Sequence, residues 1–163
     1  MKRLAWIVIL FFLFFPLAGF ADDDQGQHHH EDLTATQLGT VHFPVSCAAE
    51  VQKPFERGVA LLHSFWYEEA EKEFVQVAND DPSCAMAHWG VAMSIWHQLW
   101  NQPDAKVIER GWTEVRRAEK NRGQVGDRER AYIAAMHAFY GDSKKHDHDA
   151  RARAYSDAMK KVY

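Results

Sequence analysis

The sequence lacks the short motifs that mark most catalytic and cofactor-binding proteins. It has no Gly-x-Ser-x-Gly, Cys-x-x-Cys or His-Glu-x-x-His sequence and no Gly-rich phosphate loop. It has no Cys-x-x-Cys-His sequence, which argues against covalently attached haem. It also has no basic stripe interleaved with aromatic residues, which argues against a nucleic-acid partner. We therefore expect a protein that is not an enzyme, has no cofactor and does not bind nucleic acid.

Long apolar runs are scarce as well, and the clearest lies at residues 4–20, directly after Lys2 and Arg3. Gly19-Phe20-Ala21 has the small-x-small pattern of a signal-peptidase site, and three aspartates follow it. This predicts a signal peptide at residues 1–21 and a periplasmic or secreted protein with no membrane attachment after cleavage. The alternative is an uncleaved anchor, since the run is just long enough to span a bilayer.

Cysteine is rare, and the sequence has two, Cys47 and Cys84. An exported protein meets oxidising conditions, so a disulfide between them is the first hypothesis. Both follow a serine and precede a predicted helix, which would place them at the same end of neighbouring helices. Two free buried thiols are the alternative.

Residues 22–45 have little apolar periodicity until their last few positions. We expect a flexible acidic leader containing His28, His29 and His30, followed by a short extended segment, Val41-His-Phe-Pro-Val45, that docks on the first helices. We call residues 41–46 the strap.

A period of 34 residues organises the chain after the strap. Phe55, Gly58, Val59, Leu62 and His63 match Trp89, Ala92, Met93, Trp96 and His97 in type, and each pair is 34 positions apart. The offsets place each set on one side of a helix. We predict helices over residues 54–65, 67–79, 83–100, 105–121, 128–140 and 149–163.

At these positions the sequence resembles the tetratricopeptide repeat, which has 34 residues per unit, a small residue in helix A, and Ala-x3-Phe followed by Pro in helix B. The pattern falls on Gly58, Leu61, Ala70, Phe74 and Pro82, and on Val91, Ala92 and Ile95 of the next unit. It covers Phe55–Trp100 well and the remainder more loosely, and Pro54, Arg57 and His88 depart from it. The resemblance implies an all-α domain at residues 46–163, made of about three stacked antiparallel helix pairs (46–82, 83–126 and 127–163).

The resemblance also implies a binding face on helix A of each pair, which would hold a protein or peptide partner. The candidate positions are aromatic, Met or His residues together with one leucine: Phe55, Leu62, His63, Trp89, Met93, Trp96, His97, Tyr132, Met136 and Tyr140. The alternative is that the aromatic stripe is simply the core. Arg57 favours that alternative, because an unrotated helix would bury its unpaired charge.

A second function class remains open, namely a periplasmic protein that binds Cu or Zn. Its ligands would be His63 and His97 on the A helices, or His28, His29 and His30 in the leader. No carboxylate stands at matching spacing to complete a set of three or four ligands. Finally, Tyr155, Ala158, Met159 and Val162 form an apolar face on the last helix, which predicts either further repeats stacked on it or self-association.

Overall fold

The computed structural model describes residues 38–97 and 101–162. Six α-helices make up most of this part of the chain, and none of the residues described is in a β-strand: α1 Gln52–His63, α2 Tyr67–Asp80, α3 Ala85–Ser94, α4 Ala105–Asn121, α5 Asp127–Tyr140 and α6 His148–Met159. The all-α prediction is confirmed. The predicted signal peptide and the leader histidines lie outside the described residues. Within those residues, no helix is both long enough and apolar enough to cross a bilayer.

Each helix packs mainly against the next one in the chain. Two further contacts join α1 to α3 and α3 to α5, so the first helices of the three predicted units lie side by side. Short connections, such as residues 64–66 between α1 and α2, make successive helices antiparallel. We refer to α1, α3 and α5 as the A helices.

Local sequence explains where most helices begin. Asp104 caps α4 by accepting from the Val107 N–H at 2.9 Å, and Asp147 caps α6 by accepting from the Ala150 N–H at 2.8 Å. Pro54 lies in the first turn of α1, where no intrahelical N–H bond is lost. The helix therefore begins two residues earlier than predicted.

Two polar residues near helix starts, Asp127 and Ser46, do not act as caps. Asp127 is the first residue of α5 rather than its cap, a position taken by Gly126, and its carboxylate pairs with Arg130. Ser46 does not cap the turn that follows it, since the 3-10 helix Ala49–Val51 starts from Ala48 without a side-chain cap.

The core centres on Phe74 of α2, which is fully buried between α1 and α3. A Cβ atom on Gly58 of α1 would lie 2.7 Å from the Phe74 ring, and one on Gly90 of α3 would lie 2.4 Å from it. The two glycines therefore let the aromatic ring approach bare backbone on both sides. Arg57, whose charge favoured a buried aromatic stripe in the sequence analysis, keeps its side chain about one-third exposed (34%) and pairs with Glu73 of α2.

We expect Gly90→Ala to lower the free energy of unfolding by about 1–3 kcal/mol, because the new methyl group must displace a ring that has no free space around it. Urea unfolding followed by circular dichroism measures the change. Gly123→Ala is the matched control, since a Cβ atom there meets nothing within 4 Å. Equal midpoints for the two variants would contradict the close packing of Phe74.

Candidate functional site

The strap is an extended segment with alternating exposure. Val41, Phe43 and Val45 are half-buried against the core, whereas His42, Pro44 and Ser46 are exposed. Such a period of two is that of an extended chain with one face on a surface. The strap therefore lies on the helices as a bound peptide would.

Phe43 occupies the centre of this contact. Its ring centroid lies 5.7 Å from that of Phe55 in α1, 6.0 Å from that of Trp89 in α3 and 5.4 Å from that of Tyr132 in α5. One aromatic residue from each A helix thus surrounds it, at distances typical of interacting rings. We call the surface formed by Phe55, Trp89 and Tyr132 the A-face groove.

Side chains of α1 form hydrogen bonds with the main chain of the strap. The Phe43 N–H donates to Glu56 Oε1 at 2.9 Å. The Gln52 amide pairs with the strap twice, because its Nε2 donates to the Phe43 carbonyl at 2.9 Å while its Oε1 accepts from the Val45 N–H at 3.1 Å. These bonds satisfy backbone groups that an isolated extended segment would otherwise leave to solvent.

The other end of the strap is held by α5. Glu129 Oε1 accepts from the Ser46 N–H at 2.7 Å and from the Ser46 hydroxyl at 3.2 Å. Arg128 donates to the Pro44 carbonyl, and its guanidinium carbon lies 4.7 Å from the centroid of the Phe43 ring. The prediction that the strap docks on the first helices was therefore incomplete, since it also binds the third A helix.

A disulfide bond follows the strap. Cys47 and Cys84 have sulfur atoms 2.03 Å apart and Cα atoms 4.8 Å apart, so the predicted pair is confirmed. Beside it, the Asp81 carboxylate accepts from the Ala48 N–H at 2.8 Å, the Ser83 N–H at 3.0 Å and the Ser83 hydroxyl at 2.6 Å. Burial raises the pKa of Asp81, but these hydrogen bonds lower it by more, so the pKa lies below its usual value.

Most of the predicted partner-binding residues are part of the core. Six of them are each less than a tenth exposed, which supports the alternative that the aromatic stripe is core: Phe55, Leu62, Trp89, Trp96, Met136 and Tyr140. The physical reason is that the A helices pack on one another and on the strap, which covers the aromatic stripe from outside.

Two of the buried aromatics hold the second and third units together. Trp96 stacks on Phe139 with ring centroids 3.6 Å apart and meets Tyr155 edge-on at 4.8 Å. The Tyr140 hydroxyl donates to the Ala92 carbonyl at 2.8 Å, and burial raises the pKa of this phenol. These residues therefore join the helices of the second and third units.

The remaining predicted residues are more accessible. Met93 and Tyr132 are half-buried, His97 stacks on Tyr67 at 4.8 Å beside a cavity of about 350 Å³, and His63 is exposed at the end of α1. The Tyr155 hydroxyl lies 3.9 Å from the Met93 sulfur, so part of the apolar face of α6 is already covered within the chain.

Among the residues that the structure describes, the histidines are not gathered into a metal site. Across residues 38–97 and 101–162, the one group of three potential ligands is Cys47, Asp81 and Cys84, whose sulfurs are bonded to each other. His63 and His97 belong to no such group there, and the leader histidines lie outside the described residues.

Sequence reasoning missed the polar residues that hold the strap, namely Gln52, Glu56, Arg128 and Glu129. On helical periodicity alone each resembles a solvated surface position. The available signal was the alternation Val41-x-Phe43-x-Val45, which marks an extended segment with one apolar face. Such a segment needs main-chain partners, and nearby Gln and Glu side chains provide them.

Comparison with known proteins adds no information about this geometry. The chain matches no protein-family model, no curated protein and no solved structure.

We expect Asp81→Asn to lower the free energy of unfolding by about 1–3 kcal/mol at neutral pH, since it weakens three charge-assisted hydrogen bonds. A depressed carboxyl pKa stabilises the fold above the unfolded pKa, and the stabilisation is lost as pH falls through the folded pKa. The difference from the wild-type chain should therefore shrink below about pH 4.

Chemical denaturation at pH 7 and at pH 3 measures this effect. Asp80→Asn is the matched control, because Asp80 is the exposed neighbour and bonds only Gln76. A difference that stays constant from pH 7 to pH 3 would contradict the assignment.

Proposed function

We propose that this chain is a non-enzymatic helical-repeat scaffold that binds an extended segment of a protein partner in the A-face groove. The observation that supports it is the mode in which the strap is held. The Phe43 ring lies among aromatic residues of all three A helices. At the same time, side chains of α1 form hydrogen bonds with the main-chain N–H and carbonyl of Phe43. Extended peptides are commonly recognised through this combination of main-chain bonds and side-chain pockets.

The packing order supports a tetratricopeptide-like stack of helix pairs. The three A helices lie side by side, α2 packs between α1 and α3, and α4 packs between α3 and α5. Phe55 and Trp89, which are 34 positions apart, reach the same ring of Phe43. A repeat in sequence is thereby expressed as equivalent positions along one groove.

We further propose that the protein is exported. The apolar run at residues 4–20 and the disulfide both support this, because disulfides persist in oxidising compartments outside the cytoplasm. The partner would then be met in the periplasm or the extracellular medium.

The strap defines the chemistry of the partner. A competing segment would be extended, with apolar residues at alternate positions and an aromatic residue at the centre, as in Val41-x-Phe43-x-Val45. It would have to displace the strap, whose covalent attachment gives it a high effective concentration. Binding by a partner is therefore coupled to release of the chain's own segment.

A labelled peptide of residues 38–46 (LGTVHFPVS) tests the groove. We expect it to bind a Phe43→Ala chain at least about ten-fold more tightly than the wild-type chain, because the tethered competitor has lost its anchor. Fluorescence anisotropy measures the affinity. Thr40→Ala is the matched control, since Thr40 is exposed immediately before the strap, and it should behave as wild type.

The same peptide with alanine in place of its phenylalanine should bind neither the wild-type chain, nor the Phe43→Ala chain, nor the control variant. Circular dichroism must show that Phe43→Ala keeps its helices. If the folded Phe43→Ala chain bound neither peptide, or both equally, the A-face groove would not be a peptide-binding site.

A further inference from the structure

A second cavity, separate from the A-face groove, lies between α4, the connection at residues 141–147 and α6. Its volume is about 910 Å³, which is within the range of small-molecule sites. Part of its wall is apolar and aromatic, from Ile108 and Trp112 of α4 and Tyr140 of α5. The proposed peptide-binding function does not use it.

The unusual wall residue is Arg151 of α6. It is only 7% exposed, yet it forms no ion pair among the described residues. One guanidinium nitrogen donates to the Phe139 carbonyl at 3.3 Å, and Nε is buried with no hydrogen-bond partner. Its guanidinium carbon lies 4.9 Å from the centroid of the Phe139 ring, and Tyr140 and Asp147 act on it electrostatically without pairing. A buried guanidinium with unused donors is costly unless something satisfies it.

Cations outnumber acids around the cavity. Arg116, Lys144, Lys145 and Arg151 face Glu109 and Asp142, which leaves an excess of two positive charges. Lys145 is already paired with Asp142 at 2.9 Å. Lys144 is exposed and forms no ion pair within residues 38–97 and 101–162, so its charge is available in the cavity that Arg151 also lines.

The aromatic wall restricts what else the site accepts. Trp112 is half-buried, with the Arg116 guanidinium carbon 5.9 Å from its ring centroid and the His137 ring edge-on at 5.0 Å. Its ring is thus held in place and offers a flat apolar surface in the cavity. Next to it, the ring of Tyr140 is fixed by the hydroxyl bond to Ala92.

From this juxtaposition we infer that the cavity binds a small organic carboxylate with a flat apolar body. The carboxylate pairs with Arg151, whose planar donors match its two oxygens, and Lys144 adds a second positive charge. The flat body packs on Trp112 and Ile108. The excess of cations selects an anion, and the aromatic wall favours an aromatic acid over a simple inorganic anion.

Isothermal titration calorimetry of the purified chain with 2-naphthoate tests this site. We expect measurable binding, with 2-naphthamide about ten-fold weaker or worse because it lacks the charge, and acetate weaker still because it lacks the body. Arg151→Met should lower the affinity for 2-naphthoate by at least about ten-fold, since methionine keeps the apolar packing but not the guanidinium. Arg153→Gln, on the exposed side of the same helix, should bind as wild type.

Lys144→Gln keeps the inference testable if Arg151→Met does not fold, because Lys144 is an exposed connection residue. This substitution should lower the affinity for 2-naphthoate about three-fold or more, because it removes one neighbouring positive charge. Thermal unfolding adds an independent readout. An unpaired buried cation predicts that Arg151→Met leaves the melting temperature unchanged or raises it.

Three outcomes would overturn the inference. The first is a melting temperature that falls sharply in Arg151→Met, which would show that the fold already satisfies the guanidinium. The second is 2-naphthoate binding unaffected by either substitution. The third is inorganic phosphate binding as tightly as 2-naphthoate, which would remove the role of the aromatic wall.

Discussion

The contact between the Phe74 ring and two bare glycine backbones sets how closely α1 and α3 approach. Gly58 and Gly90 have no side chain to hold the helices apart, so a single aromatic residue of α2 fills the space between them. This spacing has two consequences elsewhere. It brings Cys47 within bonding distance of Cys84, and it places aromatic residues of neighbouring A helices close enough to share one ring of the strap. Backbone proximity in the core thus determines what the outer face can hold.

The two proposed sites differ in how their polar groups are partnered. At the A-face groove five main-chain groups of the strap have partners, supplied by Gln52, Glu56, Arg128 and Glu129, although Trp89 Nε1 and Glu129 Oε2 are buried without one. In the cavity beside α4, Arg151 is a buried cation whose Nε has no partner. The bonds of the groove stabilise one arrangement of the strap, whereas an unsatisfied buried cation is a local cost that a bound anion offsets. The first site is therefore occupied by the chain itself and the second is suited to a ligand.

The helices were predictable because each carries an apolar stripe and several have clear start or stop residues. Asp104 and Pro82 mark ends that the structure reproduces, and the two cysteines pair as expected. The exposure of the A-helix stripe was only partly predictable: Arg57 favoured a core, but the same stripe serves as a core or as a groove until the covering segment is placed. Arg151 left a signal, because it stands four residues before Tyr155 on the apolar face of α6. The surroundings of Arg151 depend on the path of the connection at residues 141–147. No local sequence pattern predicts that path.

The bond between Ser46 and Glu129 joins residues 83 positions apart, in a protein whose other contacts are mostly between successive helices. Arrays held together only by neighbouring contacts can unfold from one end, unit by unit. The strap joins the first A helix to the third, because Phe43 contacts both Phe55 and Tyr132. Its contacts with Arg128, Glu129 and Tyr132 can form only once the third A helix is in place, so this part of the docking depends on residues distant in the sequence.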